Sequence, residues 1–325
     1  EDIRSPFPIP PFRKSAMDGY AVRSADVLNA SAKSPVELQV LEDVPAGKVG
    51  RHRVTKGTAA RIMTGAPIPP GADAVVMVEY TERTTRGVRI LQEAPKGKHV
   101  APVGEDVRKG QRVLQAGGVI RAVEMGMIAS TGRSKVKVGV RPKVGVLSTG
   151  SEVLAPGTAL KPGHIFDSNG YSLTGLAAAR GAEAKFLGIA PDRKGALERK
   201  IESAGDFAVL ILSGGVSVGD YDLVQDILLE MGVKRLFYKV SIKPGKPVFA
   251  GLQGKRFVLG LPGNPVSCMV TFELLVRPLL DVMLGKKEVG LRSGSACLVE
   301  GRKLKTGKRK SLRGRLHEKE GRLYV

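Results

Sequence analysis

The stretch FAVLILSGGVSVGDYD, residues 207–222, contains the most decisive pattern in this chain. Its first six residues, 207–212, are continuously apolar, which is typical of a strand buried on both faces of a sheet. A glycine-rich polar loop begins at Ser213, and residues 222–231 then have helical spacing. A strand, a glycine-rich loop and a helix in this order predict one unit of a mostly parallel α/β sheet.

The alternation of strands and helices continues on both sides of this stretch. Apolar runs that are typical of strands occupy residues 144–147, 184–189, 236–240, 248–250 and 257–261. Segments with helical spacing occupy residues 168–180, 193–204, 222–231 and 265–283. This alternation predicts a mostly parallel sheet with helices on both faces, and we expect the α/β domain to span residues 140–288.

The rest of the chain is predicted to be rich in strands. Residues 1–106 are rich in Pro, Gly, Val and Thr and predict a β-rich N-terminal domain, with strands at 38–41, 74–78 and 87–91. Residues 107–139 form a linking segment with a predicted helix at 121–130 and a predicted basic strand at 135–140. Residues 289–325 again alternate like strands. The predicted fold class is therefore a multidomain α/β protein.

The chain is strongly basic, with 52 Lys and Arg against 31 Asp and Glu among 325 residues. Residues 285–325 alone carry 13 of the basic residues and 4 of the acidic ones. Aromatic residues make up only 5% and Trp is absent, so stacking platforms for single-stranded nucleic acid are scarce. We therefore expect no specific nucleic-acid binding. A positive surface that attracts a phosphorylated small molecule fits the same charge.

Cysteine and histidine are too few and too scattered for a disulfide scaffold or a zinc centre. The two cysteines, Cys268 and Cys297, form no CxxC pair, and the four histidines have no metal-binding spacing. This usage is typical of a reducing compartment, so we expect a cytoplasmic protein. Since no run of 18 apolar residues occurs, we expect no membrane partner.

Three polar, glycine-rich loops follow the three strongest strands of the predicted α/β domain. In open α/β sheets ligands bind beyond the carboxyl ends of the strands, so we expect these loops to converge on one crevice. Glycine lets the backbone approach a ligand, and amides at helix N-termini favour anions, which together predict an anionic ligand. The candidate binding residues are Ser148, Thr149, Gly150 and Glu152, then Ser213, Gly214, Gly215 and Ser217, and finally Pro262, Gly263, Asn264 and Pro265.

Two further features leave alternatives open. Asp222 ends the second loop, where a carboxylate beside a phosphate favours a divalent ion such as Mg²⁺, but the same residue can simply cap the next helix. Lys243 and Lys246 lie in the stiff sequence IKPGKP. This pair suits phosphate or oxyanion binding, although a solvated hairpin fits the same pattern.

Seven segments, in this order, resemble the MoeA family of molybdopterin molybdenumtransferases, which is related to the E domain of gephyrin. They are SAMDGYA (15–21), RIMTGAPIPPGADAVV (61–76), GEDVRKG (104–110), STGSE (148–152), SGGVSVGDYD (213–222), KPGKP (243–247) and LPGNPVS (261–267). The similarity extends over about residues 3–284, most of the chain.

The resemblance implies a transferase of molybdenum cofactor biosynthesis. Adenylated molybdopterin would bind, its adenylate would be cleaved with Mg²⁺, molybdate would be inserted, and AMP would leave. The resemblance also implies an elongated homodimer, in which the cleft combines the α/β domain of one subunit with the N-terminal domain of the other. A MogA-type adenylating protein is an expected partner.

The same resemblance assigns roles to single residues. It assigns catalysis to Asp18, Asp106, Glu152 and Asp222, with Glu152 and Asp222 as Mg²⁺ ligands. It assigns substrate binding to Thr64, Asp192, Lys243, Lys246, Pro262 and Pro265. It further implies a MogA-like α/β domain, dimerisation through residues 107–139 and a partial C-terminal β-barrel at 289–325. Because family members extend further at both ends, we expect a truncated chain.

Two other functions remain open from the sequence. The SGG loop and the LPGNP loop alone fit a MogA-like adenylyltransferase that uses ATP, and the basic C-terminal segment fits a non-catalytic scaffold or polyanion-binding protein. The carboxylates favour an enzyme, since a scaffold has no reason to place acidic residues in turns bounded by glycine. These residues are Asp18, Asp106, Glu152 and Asp222.

Overall fold

The computed structural model describes residues 1–203, 205–215, 223–299 and 307–325. The chain divides into two compact units, Glu1–Lys137 and Val138–Val325. The finer division into four parts, expected from the sequence, stays a prediction. Within the described ranges, no helix combines the length and the apolar character that crossing a bilayer requires.

The first unit is built mainly from strands. Its main sheet has the strand order β6-β3-β5-β4-β8-β7. Helix α1 begins where the Glu124 carboxylate accepts a hydrogen bond from the Arg121 backbone N–H at 2.9 Å. The elements are β1 (Ile3–Arg4), β2 (Lys14–Ser15), β3 (Gly19–Val22), β4 (Ser31–Val44), β5 (Thr58–Ile62), β6 (Ala74–Met77), β7 (Thr81–Arg83), β8 (Val88–Gln92), β9 (Val100–Ala101), β10 (Arg112–Leu114) and α1 (Ala122–Ser130), with 3-10 turns at Ser24–Asp26 and Val78–Tyr80.

Strand β3 lies at the centre of this unit and is buried along its whole length. Tyr20 and Val22 belong to one hydrophobic cluster, and Ala21 belongs to another. Because successive side chains of a strand point to opposite faces, both faces of the sheet are covered here. The three strands and the helix predicted for this region are confirmed.

The strand predicted at residues 135–140 is wrong. These residues form no strand, and the side chains of Val138 and Val140 are 65% and 86% exposed. Alternating valines satisfy the pattern of a strand, but a strand also needs a neighbour for its backbone hydrogen bonds. No pairing is made by this segment among the described residues.

The second unit is centred on a six-stranded sheet with the order β14-β11-β15-β19-β18-β16. Neighbouring strands from β14 to β19 are parallel, and β18 and β16 are antiparallel to their neighbours, so the predicted mostly parallel sheet is confirmed. The strands are β11 (Lys143–Thr149), β12 (Val153–Leu154), β13 (Ile165–Phe166), β14 (Glu183–Ala190), β15 (Val209–Ser213), β16 (Lys234–Tyr238), β17 (Ile242–Lys243), β18 (Phe249–Gln253), β19 (Arg256–Leu261), β20 (Arg309–Lys310), β21 (His317–Lys319) and β22 (Arg322–Tyr324). The helices are α2 (Asn169–Ala179), α3 (Lys194–Glu202), α4 (Leu223–Glu230), α5 (Pro265–Thr271) and α6 (Arg277–Met283).

Strand β15 explains why the decisive stretch is continuously apolar. Val209 and Ile211 face a cluster that contains residues of α2, α5 and α6, whereas Leu210 and Leu212 face a cluster that contains residues of α3 and α4. All four side chains are fully buried. A strand covered on both faces has no solvent side, so the sequence shows no alternation.

The single helix predicted at 265–283 is divided in the structure. A π-helical segment, Phe272–Val276, separates α5 from α6. Pro278 lies in the first turn of α6, where it has no backbone N–H to donate to the preceding turn. The helical ladder therefore changes its spacing just before this proline.

Candidate functional site

The three glycine-rich loops converge on one cavity of about 460 Å³ in the second unit, as expected. The cavity lies at the carboxyl ends of β11, β15 and β19, which are neighbours in the parallel part of the sheet. Of the predicted residues, those that line it are Ser148, Thr149, Gly150, Glu152, Asp192, Ser213, Gly214, Gly215, Gly263, Asn264 and Pro265.

Hydrogen bonds between the loops hold this arrangement together. The Thr149 hydroxyl donates to the carbonyl oxygen of Ser213 at 3.3 Å, and the Gly214 N–H donates to the carbonyl oxygen of Leu261 at 3.1 Å. Gly214 has a φ of +101°, and a Cβ at this position would lie 2.5 Å from the Thr149 carbonyl oxygen. Glycine is therefore required where the first two loops meet.

Two carboxylates, Glu152 and Asp192, lie together at the cavity. Asp192 accepts a hydrogen bond from the Ser151 N–H at 3.1 Å, and the Ser151 hydroxyl accepts one from the Asp192 N–H at 3.3 Å. Burial and the negative charge of Glu152 raise the pKa of Asp192, although the Ser151 hydrogen bond acts in the opposite direction. Two mutually repelling carboxylates form an environment that favours a bound cation.

Another wall of the cavity was missed by the sequence analysis. It is formed by Asp167, Ser168 and Asn169, here named the 167–169 turn, which lies between β13 and α2. The Asp167 carboxylate accepts a hydrogen bond from the Gly170 N–H at 2.9 Å, and the Asn169 amide nitrogen donates to the carbonyl oxygen of Gly263 at 2.7 Å. An acid and an amide at the start of a helix, just after an apolar pair, are the signal that the sequence offers.

The third loop leads directly into α5. The Asn264 side chain accepts a hydrogen bond from the Ser267 N–H at 3.2 Å, and Pro265 occupies the first helical position, where a missing N–H costs nothing. Pro262 is buried and is not among the residues that line the cavity.

Lys243 and Lys246 lie outside the cavity lining: Lys243 is the last residue of β17, and Lys246 lies on the loop that follows it. Strand β17 pairs in parallel with β20, which places Lys243 beside Lys310. The Ser311 N–H donates to the carbonyl oxygen of Lys243 at 2.9 Å. Both lysine side chains are exposed, so this edge of the second unit is strongly cationic.

Asp18 and Thr64 contact each other in the first unit, although 46 positions separate them in the sequence. The Asp18 carboxylate accepts hydrogen bonds from the Thr64 N–H at 2.6 Å and from its hydroxyl at 2.7 Å. These bonds, assisted by the charge of Arg61, lower the pKa of Asp18. Asp106 is exposed, and its backbone N–H donates to the Ile9 carbonyl oxygen at 3.0 Å.

Ser217 and Asp222 lie outside the described residues. Within the part of the chain that is described, no group of three or more His, Cys, Asp or Glu side chains could hold a metal ion. Of the carboxylates predicted from the sequence, Glu152 and Asp192 are the two that the described structure brings together at the cavity.

Comparison with known proteins matches both units to described families. Residues 1–132 match the MoeA N-terminal region (domain I and II), and residues 145–282 match a probable molybdopterin binding domain. A molybdopterin molybdenumtransferase 2 of Mycobacterium tuberculosis is 38% identical over 98% of this chain and 80% of its own length. A molybdopterin molybdenumtransferase of Haemophilus influenzae is 40% identical over 89% of this chain and 70% of its own length.

Solved structures agree with these matches. A crystal structure of the molybdopterin biosynthesis MoeA protein from Pyrococcus horikoshii superimposes with a TM-score of 0.80 at 33% identity, covering 100% of this chain and 80% of that chain. A second structure of a Pyrococcus MoeA protein gives 0.75 at 40% identity, covering 89% of this chain and 72% of that chain. The resemblance predicted from seven motifs is confirmed, and this chain belongs to the MoeA family of molybdopterin molybdenumtransferases.

Proposed function

We propose that this chain inserts molybdate into adenylated molybdopterin, with cleavage of the adenylate and release of AMP, in molybdenum cofactor biosynthesis. The observation that carries the proposal is the convergence of three glycine-rich loops and two coupled carboxylates on one cavity. Membership of the MoeA family supports this reading over a MogA-like adenylyltransferase, because the family match at residues 1–132 is to the MoeA N-terminal region.

The loops supply hydrogen-bond donors for the phosphate groups of the substrate. The Gly214 N–H already donates to the carbonyl oxygen of Leu261, but Gly215 has no side chain to shield its own backbone N–H, which is open to a close approach. Ser148 lies in the same cavity lining, and its hydroxyl makes no hydrogen bond among the described residues. Donors grouped in this way favour a negatively charged ligand and neutralise charge that develops on a phosphate oxygen.

The acidic side of the cavity suits Mg²⁺ as a cofactor. Mg²⁺ is typically bound through one or two carboxylates together with substrate phosphates, and the coupled pair of Glu152 and Asp192 fits that donor set. We assign the ion to Glu152 and to Asp222, with Asp192 contributing negative charge. When bound, Mg²⁺ stabilises negative charge on the phosphate oxygens of the substrate.

The cationic edge around Lys243 and Lys246 is proposed to hold molybdate. The pairing of β17 with β20 adds Arg309 and Lys310 to the same edge. Several positive charges on adjoining strands repel one another, and a doubly charged oxyanion relieves that repulsion. The lysines act as point charges for a tetrahedral anion and do not need bidentate geometry.

A homodimer is part of the proposal. Helix α1 and the residues before it expose apolar side chains, of which Val123 is 78% exposed, Val119 58% and Met125 57%. Exposed apolar side chains close together in the sequence favour burial against another protein, and we assign a second copy of this chain to them. Asp18, Thr64 and Asp106 are proposed to serve catalysis and binding from the first unit.

The proposal places the reaction in the cytoplasm, with a MogA-type adenylating protein as the supplier of substrate. Both cysteines are free, and Cys268 is buried, which fits a reducing compartment. Burial raises the pKa of the Cys268 thiol to about 11, so this residue is unreactive.

Release of AMP from adenylated molybdopterin tests the function. The chain is incubated with this substrate and Mg²⁺, with and without molybdate, and AMP is quantified by chromatography. We expect molybdate to stimulate AMP release, and we expect Glu152→Gln to lower it by about 10²-fold while the melting temperature stays unchanged, because Glu152 is exposed. AMP release no faster than in the absence of the protein would refute the proposal.

A further inference from the structure

The 167–169 turn contributes a wall of different chemistry from the three loops. The loops offer backbone N–H groups and hydroxyls, which donate hydrogen bonds. The turn contributes a carboxylate and a carboxamide, from Asp167 and Asn169. The hydrogen bonds that these two groups already make determine which of their atoms can still contact a ligand.

The hydrogen bond of Asn169 fixes the orientation of its carboxamide. Its partner, the carbonyl oxygen of Gly263 at 2.7 Å, can only accept, so the nitrogen of Asn169 must be the atom that faces it. The other end of the carboxamide is therefore the oxygen Oδ1. Within the described residues, Oδ1 makes no hydrogen bond, and it remains an acceptor on a residue that lines the cavity.

Asp167 adds negative charge to the same wall. Its side chain is buried, with 6% exposure, and one carboxylate oxygen accepts the Gly170 N–H at 2.9 Å. Its second oxygen, Oδ2, is buried and has no hydrogen-bond partner among the described residues. An unbalanced carboxylate charge attracts hydrogen-bond donors and repels phosphate, and Asn169 lies two residues away from it.

We propose that the 167–169 turn binds the edge of the pterin ring that carries N–H groups, with Asn169 Oδ1 accepting a hydrogen bond from the 2-amino group. The inference rests on the proposed function, which supplies a pterin as substrate. The phosphate end of the substrate is repelled by this wall and is bound by the donor loops. The polarity of the cavity thus fixes the direction in which the substrate enters it.

The test compares two ring systems that differ in the group at position 2, which is the group proposed to contact Asn169 Oδ1. 6-Hydroxymethylpterin carries an amino group at position 2, whereas 6-hydroxymethyllumazine carries a carbonyl oxygen there. Each compound competes with adenylated molybdopterin in the AMP-release assay. We expect the pterin to inhibit the unaltered chain at least tenfold better than the lumazine, because the lumazine places an acceptor against an acceptor.

Variants of Asn169 separate recognition of the ring from support of the loop. Asn169→Ala removes the acceptor for the ring and the hydrogen bond to Gly263. We expect inhibition by the pterin to weaken about tenfold and the preference for the pterin over the lumazine to disappear. Asn169→Asp loses the donor to Gly263 but keeps an acceptor, so we expect the preference to remain. Ser172→Ala, an exposed position on α2, is the matched control and is expected to behave like the unaltered chain.

The outcomes distinguish this inference from the function on which it rests. If the unaltered chain releases AMP but the pterin and the lumazine inhibit it equally well, the inference is wrong and the proposed function still stands. The same holds if Asn169→Ala keeps its preference for the pterin. A chain that releases no AMP from adenylated molybdopterin overturns the function and the inference together.

Discussion

Replacing Gly214 by alanine is expected to destabilise the second unit and to disable the cavity. Gly214 has a φ of +101°, and a methyl group would lie 2.5 Å from the Thr149 carbonyl oxygen and 2.9 Å from its hydroxyl oxygen. Backbone strain of this kind costs on the order of 1–3 kcal/mol, and forcing extra volume into a packed site costs roughly as much again. We therefore expect the free energy of unfolding to fall by about 2–6 kcal/mol.

Gly232→Ala is the matched control, because Gly232 has a similar φ of +80° but no atom within 4 Å of the added Cβ. It carries the backbone strain without the steric overlap, so it should cost only about 1 kcal/mol. For a unit of this size, 1 kcal/mol corresponds to about 2–4 °C, so the melting temperature should fall by about 4–24 °C in Gly214→Ala and by about 2–4 °C in Gly232→Ala. AMP release should be lost only in Gly214→Ala. Equal losses of stability, or normal AMP release from Gly214→Ala, would refute the steric argument.

Three more predictions test the charged residues. Lys246→Ala should raise the molybdate concentration needed for half-maximal AMP release about tenfold without weakening the adenylated substrate; equal weakening of both would argue against an oxyanion role. Because the raised pKa of Asp192 favours its protonated form in the folded protein, its ionisation removes stability as the pH rises above the ordinary value of 3.8, and Asp192→Asn should raise the melting temperature more at pH 7 than at pH 4. The opposite sign would show that Asp192 is stabilised as an anion. Mixing Asp18→Asn chains with Glu152→Gln chains should restore part of the activity through hybrid dimers, and a mixture as inactive as either parent would exclude a shared cleft.

Much of the α/β unit could be predicted because its strands are buried on both faces. Residues 209–212 are apolar throughout and fully buried, and the polar glycine-rich loop follows them directly. The same reasoning located the loops at the ends of β11 and β19. Since parallel strands share one carboxyl edge, the order of strands and loops was enough to predict that the loops meet.

The 167–169 turn could not be predicted in this way. Its position depends on the pairing of β12 with β13, in which Val153 lies opposite Ile165 and Leu154 lies opposite Phe166. Strands of two residues show no periodicity that a sequence pattern could reveal. Asn169 lies inside the helix that the sequence predicts from residue 168, so the pattern does not mark it as part of a binding site. The valines in residues 136–140 show the opposite case: they alternate as in a strand, but the described structure gives them no neighbouring strand to pair with.

The amount of molybdenum bound to the pterin per AMP released distinguishes molybdenum transfer from simple hydrolysis of the adenylated substrate. A single-turnover reaction with adenylated molybdopterin, Mg²⁺ and molybdate is stopped at intervals, AMP is measured by chromatography, and pterin-bound molybdenum is measured by mass spectrometry of the product. We expect the two quantities to rise together in a one-to-one ratio and both to be lost in Glu152→Gln. AMP release without molybdenum transfer would contradict it, since the chain would then be a hydrolase of the adenylated substrate and not a molybdenumtransferase.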